Sequence, residues 1–182
     1  MNLLILGLIL WIAAHFFKRA MPELRARMGN KGKGVIAVIL VLATYLIVSG
    51  YRSAEVIPVW TPPFWTIHIT DLFMIMAVGL FVLAHSKSRL RAKVRHPMLA
   101  GVRVWAGAHL LVNGDLASIV LFGTMFIWAT AQGIIVNRTE PDWQPYSKGT
   151  MAGDIRLAII SIVVFAAIAG VHYWLGYPVF PG

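Results

Sequence analysis

Six apolar stretches, each ended by a polar, basic or aromatic loop, leave this chain little choice of fold. They cover residues 2–17, 35–51, 66–85, 97–112, 116–136 and 155–175. Apolar runs of this size match the ~17–25 residues that a helix needs to cross the hydrocarbon core. In lipid a helix satisfies its own backbone hydrogen bonds, which an isolated strand cannot do. The sequence therefore predicts an all-α fold: a polytopic membrane helix bundle of about six transmembrane helices. Composition agrees, with 59% hydrophobic and 13% charged residues against roughly 25% charged in a soluble domain. A chain of 182 residues has no room for a second domain beside six spans, so residues 1–182 read as one transmembrane domain. The first stretch has no positive segment before it and no small-residue cleavage site after it, so it reads as a retained span.

The basic residues set the orientation. There are 16 Lys and Arg against 7 Asp and Glu. They collect in the segments 18–34, 86–97 and 137–154, and among the loops assigned to the opposite face only Arg52 is basic. The positive-inside rule then places those three segments in the cytoplasm and both termini in the periplasm, as expected of a multi-pass protein of the bacterial inner membrane. The charge of +9 reads as topology and as a match to anionic lipid, with no nucleic-acid partner. Trp60 and Trp65, in a loop with three prolines, form an aromatic belt at the far interface. Pro22 starts a short interfacial helix that Gly29 stops. The absence of cysteine excludes disulfides, thiolate metal ligands, iron–sulfur sites and cysteine nucleophiles.

Against this apolar background the polar residues inside spans carry the functional signal. The stretch from Arg95 to Asp115, RHPMLAGVRVWAGAHLLVNGD, holds most of them. Pro97 opens a helix and Asn113-Gly114-Asp115 closes it. Helical spacing stacks Trp105, His109 and Asn113 on one face. His109 falls roughly 16 Å along the helix from its inner end, near mid-membrane, where an imidazole needs a partner. His15 lies in the inner half of the first span, with Trp11 and Arg19 on its stripe. Two neutral imidazoles on different helices suit bis-His haem ligation, and a hydrogen bond to a neighbouring helix is the plainer use of either one. Arg103 and Arg19 are placed to meet haem propionates or to snorkel to the interface. His68, three residues from Asp71, suits a His–carboxylate pair and is an alternative second ligand to His15. His85, His96 and His172 fall near interfaces. Gly123 and Gly133 read as helix-packing positions.

The segment Arg95-His96-Pro97, with Gly101, Trp105, His109 and Asn113-Gly114-Asp115, resembles the NnrU family of bacterial inner-membrane proteins. The early span ending near His15 and followed by PELRARMG, the Gly50-Tyr51-Arg52 triplet and the Trp60 to Pro63 region support the likeness, which covers essentially the whole chain. The resemblance implies an association with nitrite and nitric oxide reduction, through a membrane-bound respiratory reductase as partner. Plant zeta-carotene isomerase is a distant relative of the family and holds haem b through two histidines. Carried over by position, its ligands fall on His15 and His109, which makes haem b the implied cofactor and iron the implied metal. Phe16-Phe17 stand where the relative has Ser-Gly, and Ala106 stands where it has Cys, so a redox-linked Cys ligand cannot operate here. Trp105 and Asn113 would then pack or orient His109.

A second likeness competes. The RHPxxxG pattern also resembles membrane methyltransferases of the isoprenylcysteine carboxyl type. That likeness implies S-adenosylmethionine bound by Arg95 and His96 together with a later stretch in which Glu140 and Tyr146 fall. A third reading is a non-enzymatic partner for reductase assembly. Whether the chain is an enzyme is left open by the residues alone.

Overall fold

A computed structural model describes residues 1–177 and 179–180. Among these residues it is helical throughout, with seven α-helices and no strand. They are α1 (Asn2–Ala20), α2 (Pro22–Arg27), α3 (Lys31–Arg52), α4 (Thr66–Leu83), α5 (Pro97–Val112), α6 (Leu116–Thr139) and α7 (Met151–Trp174), with one turn of 3-10 helix at Arg89–Lys93. Five of them, α1, α3, α4, α6 and α7, are long and apolar enough to cross a membrane. α5 is the sixth apolar helix and has only 16 residues, a length of ~24 Å against a core of ~30 Å. Helix boundaries follow local chemistry. Pro22 and Pro97 occupy first-turn positions where a missing N–H costs nothing. Gly29 has φ +52° and stops α2 as expected, because a left-handed residue ends a helix with little strain only when it lacks a Cβ. The Thr150 hydroxyl accepts from the Gly153 amide at 3.0 Å and caps α7.

Many large apolar side chains point outward, although Leu4, Val78, Phe122 and Trp128 are buried. Val38, Val41, Leu72, Ile127 and Ile162 are each more than 60% exposed, while small residues such as Ala43, Ala77, Ala106, Ala108 and Ala129 are fully buried. This is the pattern of a bundle solvated by lipid, where close helix packing rather than hydrophobic burial holds the helices together.

The chain forms two compact units, Met1–Trp60 with Asp115–Thr124, and Thr61–Gly114 with Met125–Gly182. In the first, α1 and α3 run antiparallel at very close range. A Cβ at Gly7 would stand 2.7 Å from the Ile47 amide nitrogen, and one at Gly50 would overlap the backbone at Leu4. One end of this unit is tied by polar bonds. The Ser118 hydroxyl donates to Asp115 at 2.5 Å, so the Tyr51 hydroxyl at 2.8 Å donates to Ser118. The Leu116 amide donates to the Ile57 carbonyl at 2.9 Å. Two segments noted in the sequence, around Gly50-Tyr51 and at Asp115, thus meet at one junction.

In the second unit α4 packs antiparallel to α5 and to α7. The buried Thr70 hydroxyl donates to the Ala108 carbonyl at 3.1 Å, and a Cβ at Gly101 would stand 2.8 Å from the Phe81 ring. The start of α7 is knotted to the loop after α4. Asp154 accepts from the Ser88 hydroxyl at 2.7 Å, from the Arg89 amide at 2.8 Å and from Arg89 Nε at 2.6 Å. The Thr150 amide donates to the Lys87 carbonyl at 2.9 Å, and a Cβ at Gly153 would collide with that same carbonyl.

The expected role of Gly123 is corrected. Nothing lies within 4 Å of a Cβ placed there, and one at Gly133 would make only an ordinary contact at 3.9 Å with Leu99. Glycines that permit close approach include Gly7, Gly50, Gly101, Gly149 and Gly153. Two substitutions test this. Gly50→Val should lower the thermal stability of the detergent-solubilised protein by at least ~1–3 kcal/mol, the usual cost of overpacking. Gly123→Ala should be neutral or slightly stabilising, since alanine favours the helix by roughly 0.5–1 kcal/mol. Melting followed by circular dichroism reads both.

Candidate functional site

Each unit has one histidine that follows a tryptophan by one helical turn, and the two are built in the same way. In the first unit His15 sits in α1, half-buried. Its Nδ1 lies 2.8 Å from the Trp11 carbonyl oxygen, and the Trp11 and His15 rings are 4.5 Å apart at 38°. In the second unit His109 sits near the end of α5. Its Nδ1 lies 2.9 Å from the Trp105 carbonyl oxygen, and the two rings are 5.3 Å apart at 54°.

A carbonyl oxygen can only accept, so in both residues Nδ1 carries the proton. In the neutral imidazole Nε2 then holds the lone pair, which is the tautomer a metal-ligating histidine needs. The bond uses the helix's own carbonyl one turn earlier, which holds the ring against its own helix. The adjoining indole restricts it further. The underlying sequence signal is a short pattern that occurs twice, Trp11-Ile-Ala-Ala-His15 and Trp105-Ala-Gly-Ala-His109. The stripe reading of each helix taken alone did not bring it out. His172 makes the same bond, to the Ile168 carbonyl at 2.9 Å, but has isoleucine where the other two have tryptophan.

Trp105 orients His109, as the spacing suggested, through its carbonyl and its ring. Asn113 acts one step removed. Its Nδ2 donates to the His109 carbonyl at 2.8 Å, and its backbone amide donates to the same oxygen at 3.0 Å. It therefore caps α5 at the residue that carries the imidazole and does not touch the ring. Arg103 is half-buried in α5 and makes no hydrogen bond or ion pair among the described residues. No hydrogen bond or ion pair joins His68 to Asp71 among the described residues, and the His68 ring instead meets the edge of Phe64 at 6.1 Å. No group of three or more His, Asp or Glu side chains among the described residues is placed to hold a metal ion. Haem iron asks the protein for only two such ligands.

The second polar centre lies in the second unit, where the loop after α4 meets the start of α5 and the segment after α6. A cavity of about 440 Å³ opens there, lined by His85, Arg91, Arg95, His96 and Pro97 on one side and by Trp143, Gln144 and Tyr146 on the other. Its walls are fixed by polar contacts. His96 Nε2 and Asn137 Oδ1 are 2.9 Å apart. Arg95 Nη2 donates to the Glu140 carbonyl. Arg91 donates to the Ser86 carbonyl at 3.2 Å and lies 4.6 Å over the Tyr146 ring, a cation–π contact. The sequence placed Arg95, His96, Glu140 and Tyr146 near a common cofactor stretch, and the structure brings them together. Glu140 takes part through its carbonyl, and no acidic side chain lines the cavity. Asn137, on α6, is the helix residue that meets His96.

The sequence reading missed Thr70, whose hydroxyl ties α4 to α5 beside His109, and the Ser88–Asp154 knot that holds the loop under the cavity. Both are polar groups with buried partners far away in sequence, which periodicity cannot reveal. Asp154→Asn should lower stability, because it weakens three hydrogen bonds and leaves the fully buried Ser88 poorly matched. Hydrogen exchange checks it, with the Arg89 amide expected to lose protection.

With this geometry in hand, the comparisons give one result. The profile of the NnrU family, described as NnrU protein, matches residues 3–179, and the chain belongs to that family. No curated protein and no solved structure matches it.

Proposed function

We propose that this NnrU-family membrane protein binds haem b, with His15 and His109 as the axial ligands, and serves nitrogen-oxide respiration in the bacterial inner membrane. The observation that carries the reading is the repeated Trp-x-x-Ala-His helix. In both copies the Nδ1 proton is held by the carbonyl of the tryptophan, and Nε2 is the basic nitrogen. An imidazole fixed this way in a low-dielectric layer suits a neutral, strong-field metal ligand. Family membership supports the physiological setting, because the resemblance to NnrU proteins implies a link to nitrite and nitric oxide reduction.

Bound haem would supply a one-electron ferric–ferrous couple. The chain's own residues do the rest. Trp11 and Trp105 hold the two imidazoles in one tautomer and limit their rotation. Asn113 fixes the last turn of α5 and so the height of His109. Arg103, a cation inside an apolar helix without a protein counter-ion among the described residues, suits a haem propionate. Two imidazole ligands leave the iron no open position, so electron transfer or redox sensing fits this ligand set better than substrate activation at the metal. S-adenosylmethionine fits the loop-side cavity less well, because its sulfonium cation would meet a wall of Arg and His side chains with no carboxylate.

The test is the visible spectrum of the detergent-purified protein, oxidised and then dithionite-reduced, after expression with haem precursor supplied. The wild type should show a Soret band and sharp reduced α and β bands. His15→Ala and His109→Ala should each lose those bands or shift to a five-coordinate form. Asn113→Ala should keep them with weaker haem retention. A colourless wild-type protein that co-purifies with another membrane protein would overturn the proposal in favour of an assembly role.

A further inference from the structure

The cavity beside Arg95-His96-Pro97 does a different job from the two histidine helices, and its charge says what it takes. Four basic side chains, His85, Arg91, Arg95 and His96, line it, and no acidic one does. Arg95 Nε is buried and has no hydrogen-bond partner among the described residues, although a buried guanidinium N–H ordinarily finds an acceptor. The N-terminus of α5 opens into the same space through Pro97, Met98 and Leu99. That helix has no side-chain cap and no acidic residue in its first turn. The amides of Met98 and Leu99 therefore have no intrahelical acceptor, and the positive end of the helix dipole adds to the arginines.

We infer that this cavity is a phosphate-binding site: the Arg95 guanidinium and the first-turn amides of α5 hold the oxyanion, and His85 supplies a further donor. Arg91 is already engaged by Tyr146 and the Ser86 carbonyl, so it shapes the wall and adds charge. A volume of about 440 Å³ exceeds a bare phosphate and leaves room for an attached body against Trp143. The site lies between the end of α4 and the start of α5, at the depth of lipid headgroups for helices that cross a bilayer. A phospholipid headgroup and a small soluble phosphate ester share the required chemistry. The inference does not depend on haem, since neither His15 nor His109 lines the cavity.

The experiment is calorimetric titration of the detergent-purified full chain with dihexanoyl phosphatidylglycerol, with inorganic phosphate and with S-adenosylmethionine. Wild type, Arg95→Gln, His85→Gln and a distant control, Arg52→Gln, are compared. Phosphate-bearing probes should bind the wild type. Arg95→Gln should weaken them about tenfold, the worth of one charge-assisted hydrogen bond. Because Arg95 also bonds the Glu140 carbonyl, His85→Gln is the variant that leaves the wall intact; the His85 side chain makes no hydrogen bond among the described residues. It should weaken binding roughly threefold, and Arg52→Gln should change nothing. Binding of the lipid alone identifies a headgroup site, and binding of both probes identifies a general phosphate site. No binding of either probe, equal binding in Arg95→Gln and His85→Gln, or binding of S-adenosylmethionine without phosphate would overturn the inference.

Discussion

An imidazole in the hydrocarbon layer cannot leave its polar atoms unmatched, and this constraint organises the chain's chemistry. The protein meets it within a single helix. The carbonyl one turn earlier takes the Nδ1 proton, and the tryptophan that owns that carbonyl lays its indole beside the ring. The tautomer follows from a five-residue pattern, and the indole beside the ring limits its orientation. The same economy appears at Thr70, which ties α4 to α5 through a backbone carbonyl, and at Asn113, which closes α5 on the oxygen of His109. In lipid such bonds stand in for the hydrophobic effect that would hold a soluble core together.

The fold shows the complementary side of this constraint. Alongside a few large residues such as Leu4 and Trp128, the bundle buries alanine and glycine and turns many of its large side chains outward. α1 and α3 approach so closely at Gly7 and Gly50 that no other residue fits there. The polar knots sit at the helix ends, where loops must be held: Tyr51, Ser118 and Asp115 in one unit, Ser88, Arg89 and Asp154 in the other. The second knot fixes the loop below the basic cavity, and that loop supplies Arg91.

Much of this was legible in the sequence, because hydropathy and the placement of lysine and arginine act over whole segments. The spans, the short helix from Pro22 and the break at Gly29 all follow from such local signals. Trp105 as the residue that orients His109 was readable from helical spacing. Other features were not. Gly123 looked like a packing residue and meets nothing among the described residues, whereas Gly7 and Gly50 let α1 and α3 approach closely; a glycine's neighbours are set by helix rotation, which sequence period does not fix. His68 and Asp71 had the spacing of a pair, yet the ring turned to Phe64. The joining of Arg95 and His96 to Tyr146 was visible only as a family likeness, and the charge of the cavity they line emerged from the structure.

The central claim is that two backbone-held imidazoles serve one haem iron. Electron paramagnetic resonance of the oxidised, purified protein tests it most directly. Two neutral imidazole ligands predict a low-spin ferric signal that is lost in both His15→Ala and His109→Ala. A high-spin ferric signal in the wild type, or a low-spin signal that survives either substitution, would contradict the assignment.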